Sequence, residues 1–348
     1  MTDDPESSCP LPFAGYDRIV LAHGGGGRVM HHLIRDVFLA AFGDARNARG
    51  HDGAVLELNG AVAVTTDAFT VRPLFFPGGD IGSLAVHGTV NDLAMCGARP
   101  LYLTASFILE EGLPLEDLRR IVGSMARAAH AASVAIVAGD TKVVERGKGD
   151  GVFIATTGVG RVESRQPIAA ERVRPGDAVL VSGPVGDHGI AVMLAREGLA
   201  IEAAIVSDSA PVAASMLALL GADVDVHCLR DPTRGGLATV LCEIASAAGL
   251  GVRIAEAAVR VRPVVADACE LLGLDPLYVA CEGRFVAFVA GPDSDRALAA
   301  LHGTPGGEEA CVIGHVTADH PSMVVLEGPL GGERILDMLS GEQLPRIC

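Results

Sequence analysis

Apolar and polar positions in the first half of the chain predict strands alternating with helices. Short runs rich in Val, Ile, Leu and Ala predict strands at 18–21, 55–58, 61–66, 101–108, 134–138 and 152–159. Helical spacing of apolar residues predicts helices from Met30 to Ala41, over 82–96, and from Pro114 onward. Asn59-Gly60 between two of the strands is typical of a two-residue hairpin turn, because it supplies positive φ values.

The second half also contains apolar spacings typical of strands and of helices. We expect strands at 178–182, 284–290 and 311–317, and helices at about 188–197, 210–220, 236–248 and 293–302. Residues 171–177 are polar and turn-rich, which places a domain boundary near 162–175. The pattern therefore predicts an α+β protein with four parts: an irregular arm at 1–15, domains at 16–168 and 169–340, and a tail at 341–348.

Composition narrows the function classes. The 348 residues carry a net charge of −16, so the chain should repel nucleic acid and anionic membrane surfaces. Hydrophobic residues make up 49%, but no run reaches the roughly 18 apolar residues of a spanning helix. The acidic start, Met1 to Glu6, lacks the basic region of a signal peptide, so we expect a cytoplasmic protein. The eight cysteines form no Cys-x-x-Cys pair, which argues against a structural zinc site.

The glycine run Gly24 to Gly27 precedes a predicted helix. Backbone N–H groups at a helix start attract phosphate, and glycine lets a ligand approach closely. A flexible loop explains the run equally well. It is not a Walker A loop, since no Gly-Lys-Ser/Thr follows.

Three carboxylates, those of Asp67, Asp92 and Asp140, come from separate elements of the first domain. Mg²⁺ in enzymes is commonly held by one or two carboxylates plus substrate phosphates. Each of the three is individually explained as a turn or helix cap. Together with Lys142, whose point charge suits a transferring phosphate, they favour a nucleotide–metal site.

Two further candidates lie in the second half. The run Asp231 to Gly236 either binds an anion or forms a turn with a tight helix contact. Glu282 stands between two apolar runs, so partial burial would raise its pKa and suit it to general-base chemistry. A carboxylate in a turn at a strand end is the alternative.

The terminal thiol of Cys348 is the last candidate. The seven residues after Gly341 reach at most roughly 25 Å, enough to carry a thiol-bound group into a cleft. A chemically idle cysteine on a frayed end is the alternative. The tail is predicted to exchange between an exposed and an inserted state, with Leu344 and Ile347 giving apolar contacts in the latter.

In these motifs the chain resembles the HypE family of hydrogenase maturation proteins along nearly its whole length. The resemblance rests on the segments 23–27, 66–67, 75–82, 91–92, 107–112, 139–144, 186–189, 230–236 and 282–283, and on the ending Pro345-Arg346-Ile347-Cys348. It implies the two-domain α+β fold of aminoimidazole ribonucleotide synthetase, called PurM-like, with ATP bound by the N-terminal domain and a homodimer.

The resemblance also assigns roles. Cys348, Glu282 and Lys142 would be catalytic, with Glu282 as the base. The expected metal ligands are Asp67, Asp92 and Asp140. The expected nucleotide-binding residues are Gly25, Gly26, Gly27, Asn91, Asp92, Asp140 and Thr141. ATP and Mg²⁺ would be the cofactors. A carbamoyltransferase like HypF would load Cys348, and a scaffold like the HypC–HypD pair would receive the product.

The implied reaction turns an S-carbamoyl group on Cys348 into a thiocyanate that supplies cyanide to the iron of nickel–iron hydrogenase. Phosphorylating the carbonyl oxygen makes it a leaving group, and removal of the nitrogen protons completes the dehydration. Two readings compete. Another ATP-using enzyme of the superfamily, such as a thiamine-phosphate kinase or a selenophosphate synthetase, would not need a terminal cysteine. A carrier without catalytic activity would have no use for the carboxylates and Lys142.

Overall fold

The first half of the chain forms a four-stranded sheet of order β1–β6–β4–β5 with helices on one face. The computed structural model describes residues 16–25, 27–43, 54–198, 205–338 and 347. The strands here are β1 (Val62–Phe69), β2 (Phe75–Phe76), β3 (Gly79–Asp80), β4 (Ala98–Glu110), β5 (Ala135–Val144) and β6 (Val152–Val162). The helices are α1 (Arg28–Leu33), which continues through the π-helical turns Ile34–Leu39 into α2 (Ala40–Phe42), then α3 (Ile81–Met95) and α4 (Leu115–Ala131). Strands β2 and β3 form a separate small ribbon.

The second half forms a seven-stranded mixed sheet of order β13–β12–β9–β11–β7–β10–β8. Its strands are β7 (Ala178–Val181), β8 (Val226–Arg230), β9 (Gly251–Ala255), β10 (Val286–Val289), β11 (Cys311–Thr317), β12 (Val324–Glu327) and β13 (Glu333–Leu336). Its helices are α5 (Asp187–Glu197), α6 (Ala213–Gly221), α7 (Gly236–Ala248), α8 (Pro263–Leu272) and α9 (Ser294–His302).

Helix α3 is the central element of the first half. It starts at Ile81 because the Asp80 carboxylate accepts hydrogen bonds from the N–H groups of Gly82 and Ser83. It packs against β1, β4, β6 and α4, and also against α6 and β8 of the second half. Gly88 faces the Phe69 ring, and a Cβ at that position would lie 2.9 Å from it. A residue placed on α3 can therefore reach both halves of the molecule.

The predicted α+β architecture is confirmed, and so are most of the predicted elements. Two local predictions are wrong. Residues 18–21 form only one isolated bridge, from Arg18 to Pro114, followed by a 3-10 turn. The expected hairpin is absent from the described residues, because residues 55–58 form no strand. Strand β1 pairs along its whole length with β6 and is an edge strand of the sheet. Gly60 nevertheless adopts the predicted positive φ, +90°. None of the helices in the described ranges is long and apolar enough to cross a bilayer.

Candidate active site

Glu282 sits where the two halves meet, just before β10, and its backbone is held from two sides. Its N–H donates to the Asp208 carboxylate at 3.0 Å, and its carbonyl accepts from the Asn91 amide at 3.1 Å. Asn91 lies on α3 and also bonds Ala210 and Val212 of the second half. The sequence separation between these partners is large, so only the assembled fold places Glu282.

The carboxyl group of Glu282 is buried, and its Oε1 has no hydrogen-bond partner within the described residues. Burial raises its pKa well above the ordinary value, and the nearby charges of Asp231, Asp208, Asp67 and Asp92 raise it further. Such a carboxyl group binds a proton more tightly than a surface glutamate does. This is the property that a general base or acid near neutral pH requires.

Asp67 and Asp92 lie together beside this carboxyl group. Asp92 accepts a hydrogen bond of 2.7 Å from the Thr65 hydroxyl. Burial raises the pKa of Asp92, and the charge of Asp67 adds to that effect. Arg230 and Arg234 act in the opposite direction on Asp92. The site thus combines a crowded group of carboxylates with two guanidinium groups.

The loop from Asp231 to Gly236 lies against the segment that carries Glu282. The Pro232 carbonyl accepts a hydrogen bond of 2.9 Å from the Cys281 N–H. Burial raises the pKa of Asp231 to about 6, with the charge of Asp92 contributing. The loop therefore serves as a wall of the site, and Asp231 is one of its partly buried acids.

Asp140 and Lys142 are placed elsewhere, on the exposed face of the four-stranded sheet. Their charged groups form an ion pair of 3.1 Å that is open to solvent. In the β4–β5 register both residues sit opposite exposed positions of β4, Ser106 and Ile108. Thr141 between them is buried on the helix side of the sheet.

Asp67 faces the other side of that sheet, because its cross-strand partner Thr156 is buried. Among the described residues, no three His, Cys, Asp or Glu side chains are grouped closely enough to hold a metal ion. The structure therefore brings Asp67 and Asp92 together and does not bring Asp140 to them. The three-carboxylate metal site stays a prediction.

The glycine run lies at the end of β5, next to the Asp140–Lys142 pair. A Cβ at Gly24 would lie 2.8 Å from the Val143 nitrogen, so glycine is needed for this close approach. Gly25 follows the 3-10 turn, and Gly27 precedes α1 with open space around it. Gly26 lies outside the described residues. Gly24, Asp140 and Lys142 are thus neighbours in the fold.

Asn91 has a different environment from the one expected of a nucleotide ligand. Only 2% of its surface is exposed, and its amide joins α3 to the second half through Ala210, Val212 and Glu282. The predicted contact of Asn91 with a nucleotide stays a prediction. Its observed contacts make it a clamp between the halves.

Near the end of the chain, Ile347 is buried in the apolar cluster that also contains Phe76. Its carbonyl accepts a hydrogen bond from His188 at 3.0 Å. Cys348 and residues 339–346 lie outside the described residues. Cys348 is joined by a peptide bond to a residue that is seated in the protein.

Asp208 is a site residue that the sequence did not reveal. Its side chain is completely buried, with Oδ2 3.6 Å from the Arg284 guanidinium. Burial raises its pKa to about 6. The sequence offers one weak signal, the polar triplet Ser207-Asp208-Ser209, which resembles an ordinary solvated loop.

Comparison with known families matches both halves of the chain. Residues 50–162 match the AIR synthase related protein N-terminal domain, and residues 174–326 match the C-terminal domain of the same family. The first match ends at residue 162, and the second begins at residue 174, inside the polar segment 171–177.

Individual proteins that match along both halves identify the family more narrowly. The carbamoyl dehydratase HypE of Cupriavidus necator is 55% identical over 333 residues, covering 95% of each chain. A crystal structure of HypE in complex with ATP matches with a TM-score of 0.92 at 49% identity, over 94% of this chain and 99% of that one. A HypE chain from a HypE–HypF complex matches with a TM-score of 0.78 at 46% identity, over 88% and 99%.

Proposed function

The chain belongs to the HypE family of carbamoyl dehydratases, and from this premise we propose that it dehydrates an S-carbamoyl group on its own Cys348 to a thiocyanate. The product would supply cyanide to the iron of a nickel–iron hydrogenase. The observation that carries the proposal is the buried carboxyl group of Glu282, unpartnered within the described residues, in a protein whose penultimate residue is seated by His188.

The reaction removes the elements of water from R–S–C(=O)–NH₂. Transfer of a phosphoryl group to the carbonyl oxygen, with loss of one N–H proton, gives a phosphorylated imidate. Departure of phosphate with loss of the second N–H proton gives R–S–C≡N. ATP with Mg²⁺ would supply the phosphoryl group that makes the oxygen a leaving group.

Glu282 is proposed to take up a nitrogen proton. Its raised pKa gives it the proton affinity for that step, and the bonds from Asn91 and to Asp208 fix its backbone. A positioned base of this kind is typically worth about 10²–10⁴ in rate. The burial of Glu282 would also limit the access of water to this step.

Two groups of residues are proposed to serve Mg²⁺ and ATP. Asp67 and Asp92 suit a divalent cation, because the closeness of their charges helps raise the pKa of Asp92 and a cation would relieve that repulsion. Gly25, Asp140 and Lys142, with Gly26, Gly27 and Thr141, are proposed to contact the nucleotide. The crystal structure of a HypE with ATP supports nucleotide binding in this fold.

Homodimer formation is also proposed. The face of the four-stranded sheet opposite the helices exposes apolar side chains, including Val64 at 64% and Ile108 at 43%. An apolar sheet face of this kind is suited to a partner. Because Asp140 and Lys142 lie on it, a second copy would border the proposed nucleotide site. Sedimentation at micromolar concentration should give a dimer, and a fully active monomer would refute it.

The other proposed partners follow from the chemistry of Cys348. A carbamoyltransferase like HypF is proposed to load the thiol, which the HypE–HypF complex supports by similarity. A scaffold like HypC–HypD is proposed to receive the cyano group.

Mass spectrometry of the C-terminal peptide tests the proposed reaction. Carbamoylated protein should lose the mass of one water only when Mg-ATP is added. Glu282→Gln should still be loaded but should lose water at least about 100-fold more slowly. Cys348→Ala should carry no modification, whereas the control Cys96→Ala, at an exposed cysteine, should behave as the wild type.

Other outcomes would identify the competing functions. A loaded peptide that keeps its mass while ATP is not consumed would indicate a carrier. ATP consumption that is unaffected by Cys348→Ala and phosphorylates a small molecule would indicate a kinase of the superfamily.

A further inference from the structure

His188 is buried at the start of α5 and uses both ring nitrogens. Its Nε2 lies 3.0 Å from the Ile347 carbonyl oxygen, and its Nδ1 lies 2.8 Å from the Ser207 hydroxyl. The edge of the ring contacts Phe76 of the first half, with centroids 5.4 Å apart. No part of the side chain of His188 is exposed.

The chemistry of the partners fixes the proton on this imidazole. Burial lowers its pKa to about 4, so the ring is neutral at physiological pH and carries one N–H. A carbonyl oxygen can only accept, so Nε2 bears the hydrogen and donates it to Ile347. Nδ1 then accepts from the Ser207 hydroxyl, whose oxygen in turn accepts from the Ser209 N–H at 3.0 Å.

The carbonyl that His188 holds is that of the peptide bond joining Ile347 to Cys348. This is the last backbone carbonyl before the proposed substrate-bearing residue. The buried side chain of Ile347 resists withdrawal of the chain, but an apolar contact alone does not set the direction of the backbone. A directional hydrogen bond at this carbonyl does.

The segment that supports His188 is also the one that supports Glu282. Ser207 bonds His188, and the adjacent Asp208 accepts the N–H of Glu282. The Ser207 N–H donates to the Pro77 carbonyl at 2.9 Å, and Ser209 bonds His87 of α3 at 3.0 Å. His188, which bonds Ile347, and the proposed base Glu282 are therefore both held by neighbouring residues of one segment, 205–212. This segment is anchored to both halves.

We propose that His188 is a positioning residue for the reaction: through Nε2–H it holds the Ile347 carbonyl and so directs Cys348 toward the site of Glu282. The proposal rests on the proposed function for its catalytic consequence only. The hydrogen bond itself makes a prediction that is independent of any carbamoyl chemistry.

Two substitutions separate positioning from packing. His188→Gln places an amide N–H where Nε2 stands, and it keeps a donor for Ile347. His188→Asn places its amide where Nδ1 stands, keeps the contact with Ser207, and loses the donor. Both remove the imidazole from the same buried position, and asparagine is one methylene shorter than glutamine. A role in packing alone therefore predicts loosening in both variants, somewhat greater in His188→Asn. His227→Gln, at another buried histidine bonded to Asp177 and Asp225, is the matched control.

The first readout is the rate at which N-ethylmaleimide labels Cys348 in the full chain, followed on the C-terminal peptide by mass spectrometry. His188→Asn should raise this rate about 10-fold, whereas His188→Gln and His227→Gln should stay within about 2-fold of the wild type. Equal rates in the two His188 variants, raised or unchanged, would overturn the proposal.

The second readout is dehydration of carbamoylated protein. His188→Asn should lower the single-turnover rate about 10-fold or more while loading and ATP binding persist, and His188→Gln should restore most of that rate. If the wild type does not dehydrate its loaded cysteine, the proposed function fails, yet the labelling contrast still decides the role of His188.

If His188→Asn folds poorly, the variant Ile347→Ala, which keeps His188, provides a second test. Loss of the buried Ile347 side chain should raise labelling of Cys348 by a similar factor, because the carbonyl is then withdrawn from His188 more often. Unchanged labelling in that variant would equally overturn the proposal.

Discussion

At the scale of single residues, the site is defined by buried carboxyl groups whose protons are bound unusually tightly. Asp208 has its pKa raised to about 6 by burial, against an ordinary value of 3.8. Between these two pH values the native protein holds a proton on Asp208 that the unfolded chain has released. The contribution of this group to stability is therefore complete below pH 4 and is lost as pH rises through 6.

Asp208→Asn removes this titration while keeping an oxygen that can accept from the Glu282 N–H. The unfolding free energy of the wild type minus that of the variant should therefore fall by up to about 3 kcal/mol between pH 4 and pH 7. Urea titrations at several pH values measure this difference. His87 and His188, whose pKa values burial lowers to about 4, titrate in both proteins and cancel.

For Glu333→Gln, the difference in unfolding free energy between wild type and variant should change with pH in the opposite direction. The hydrogen bond from Arg253 lowers the pKa of the exposed Glu333, so its contribution to stability is lost as pH falls. A pH-independent difference for Asp208→Asn would contradict the buried, proton-binding state of that carboxyl group.

The sequence identified some of these residues and not others, for physical reasons. Glu282 was visible because it interrupts two apolar runs. Asp208 was not, because a carboxylate in a polar triplet looks solvated, and its burial depends on Glu282, 74 positions away. The separation of Asp140 from Asp67 was equally hidden, since it depends on which face of the sheet each residue occupies.

At the scale of elements, the critical contact is the close approach of the 205–212 segment to the turn that carries Glu282. A Cβ at Gly283 would lie 1.8 Å from the Asp208 carbonyl oxygen. Only glycine lets the two backbones meet at this distance. The base and its support are therefore in direct backbone contact.

Gly283→Ala should push the segment away, destabilise the protein by about 1–3 kcal/mol, and slow dehydration. Gly221→Ala is the control, because Gly221 ends α6 with nothing within 4 Å of the added methyl group, and alanine should be neutral or slightly stabilising there. Denaturant titration and single-turnover rates measure both variants. A Gly283→Ala protein with normal stability and rate would show that the approach is unimportant.

Helices with apolar residues along one face, such as α4 and α7, were predictable from periodicity. The hairpin prediction failed because residues 55–58 form no strand; β1 lies at the edge of its sheet and is paired with β6, about 90 residues away. Short strands such as β9, β12 and β13 were missed, since four or five residues give little pattern and their pairing with distant strands supplies the missing stability.

At the scale of the whole molecule, Asn91 ties the two halves together at the site. Its amide makes three hydrogen bonds to backbone groups of the second half, at Ala210, Val212 and Glu282. Asn91→Ala leaves these groups without that partner. The bonded groups of Val212 and Glu282 are buried, whereas Ala210 is exposed and its carbonyl can bond water instead. Each buried unsatisfied group costs about 1–3 kcal/mol, so the loss of stability should be at least about 2 kcal/mol.

Asn59→Ala, at an exposed position, should change stability by less than about 0.5 kcal/mol. Denaturant titration compares the two, and dehydration should slow only in Asn91→Ala, because Glu282 loses one of its two backbone supports. Equal stability in the two variants would mean that Asn91 does not act as a clamp.

The clamp also bears on how such a protein can diversify. Asn91 belongs to one half, and the backbone it grips belongs to the other, so neither half contains a finished site. A chimera could join the first half of one relative to the second half of another. Its Asn91 surface and the backbone that Asn91 bonds would then come from different proteins. Recombination near 162–175 should therefore yield active proteins only when both surfaces come from well-matched parents, and the two halves are expected to change in step over evolutionary time.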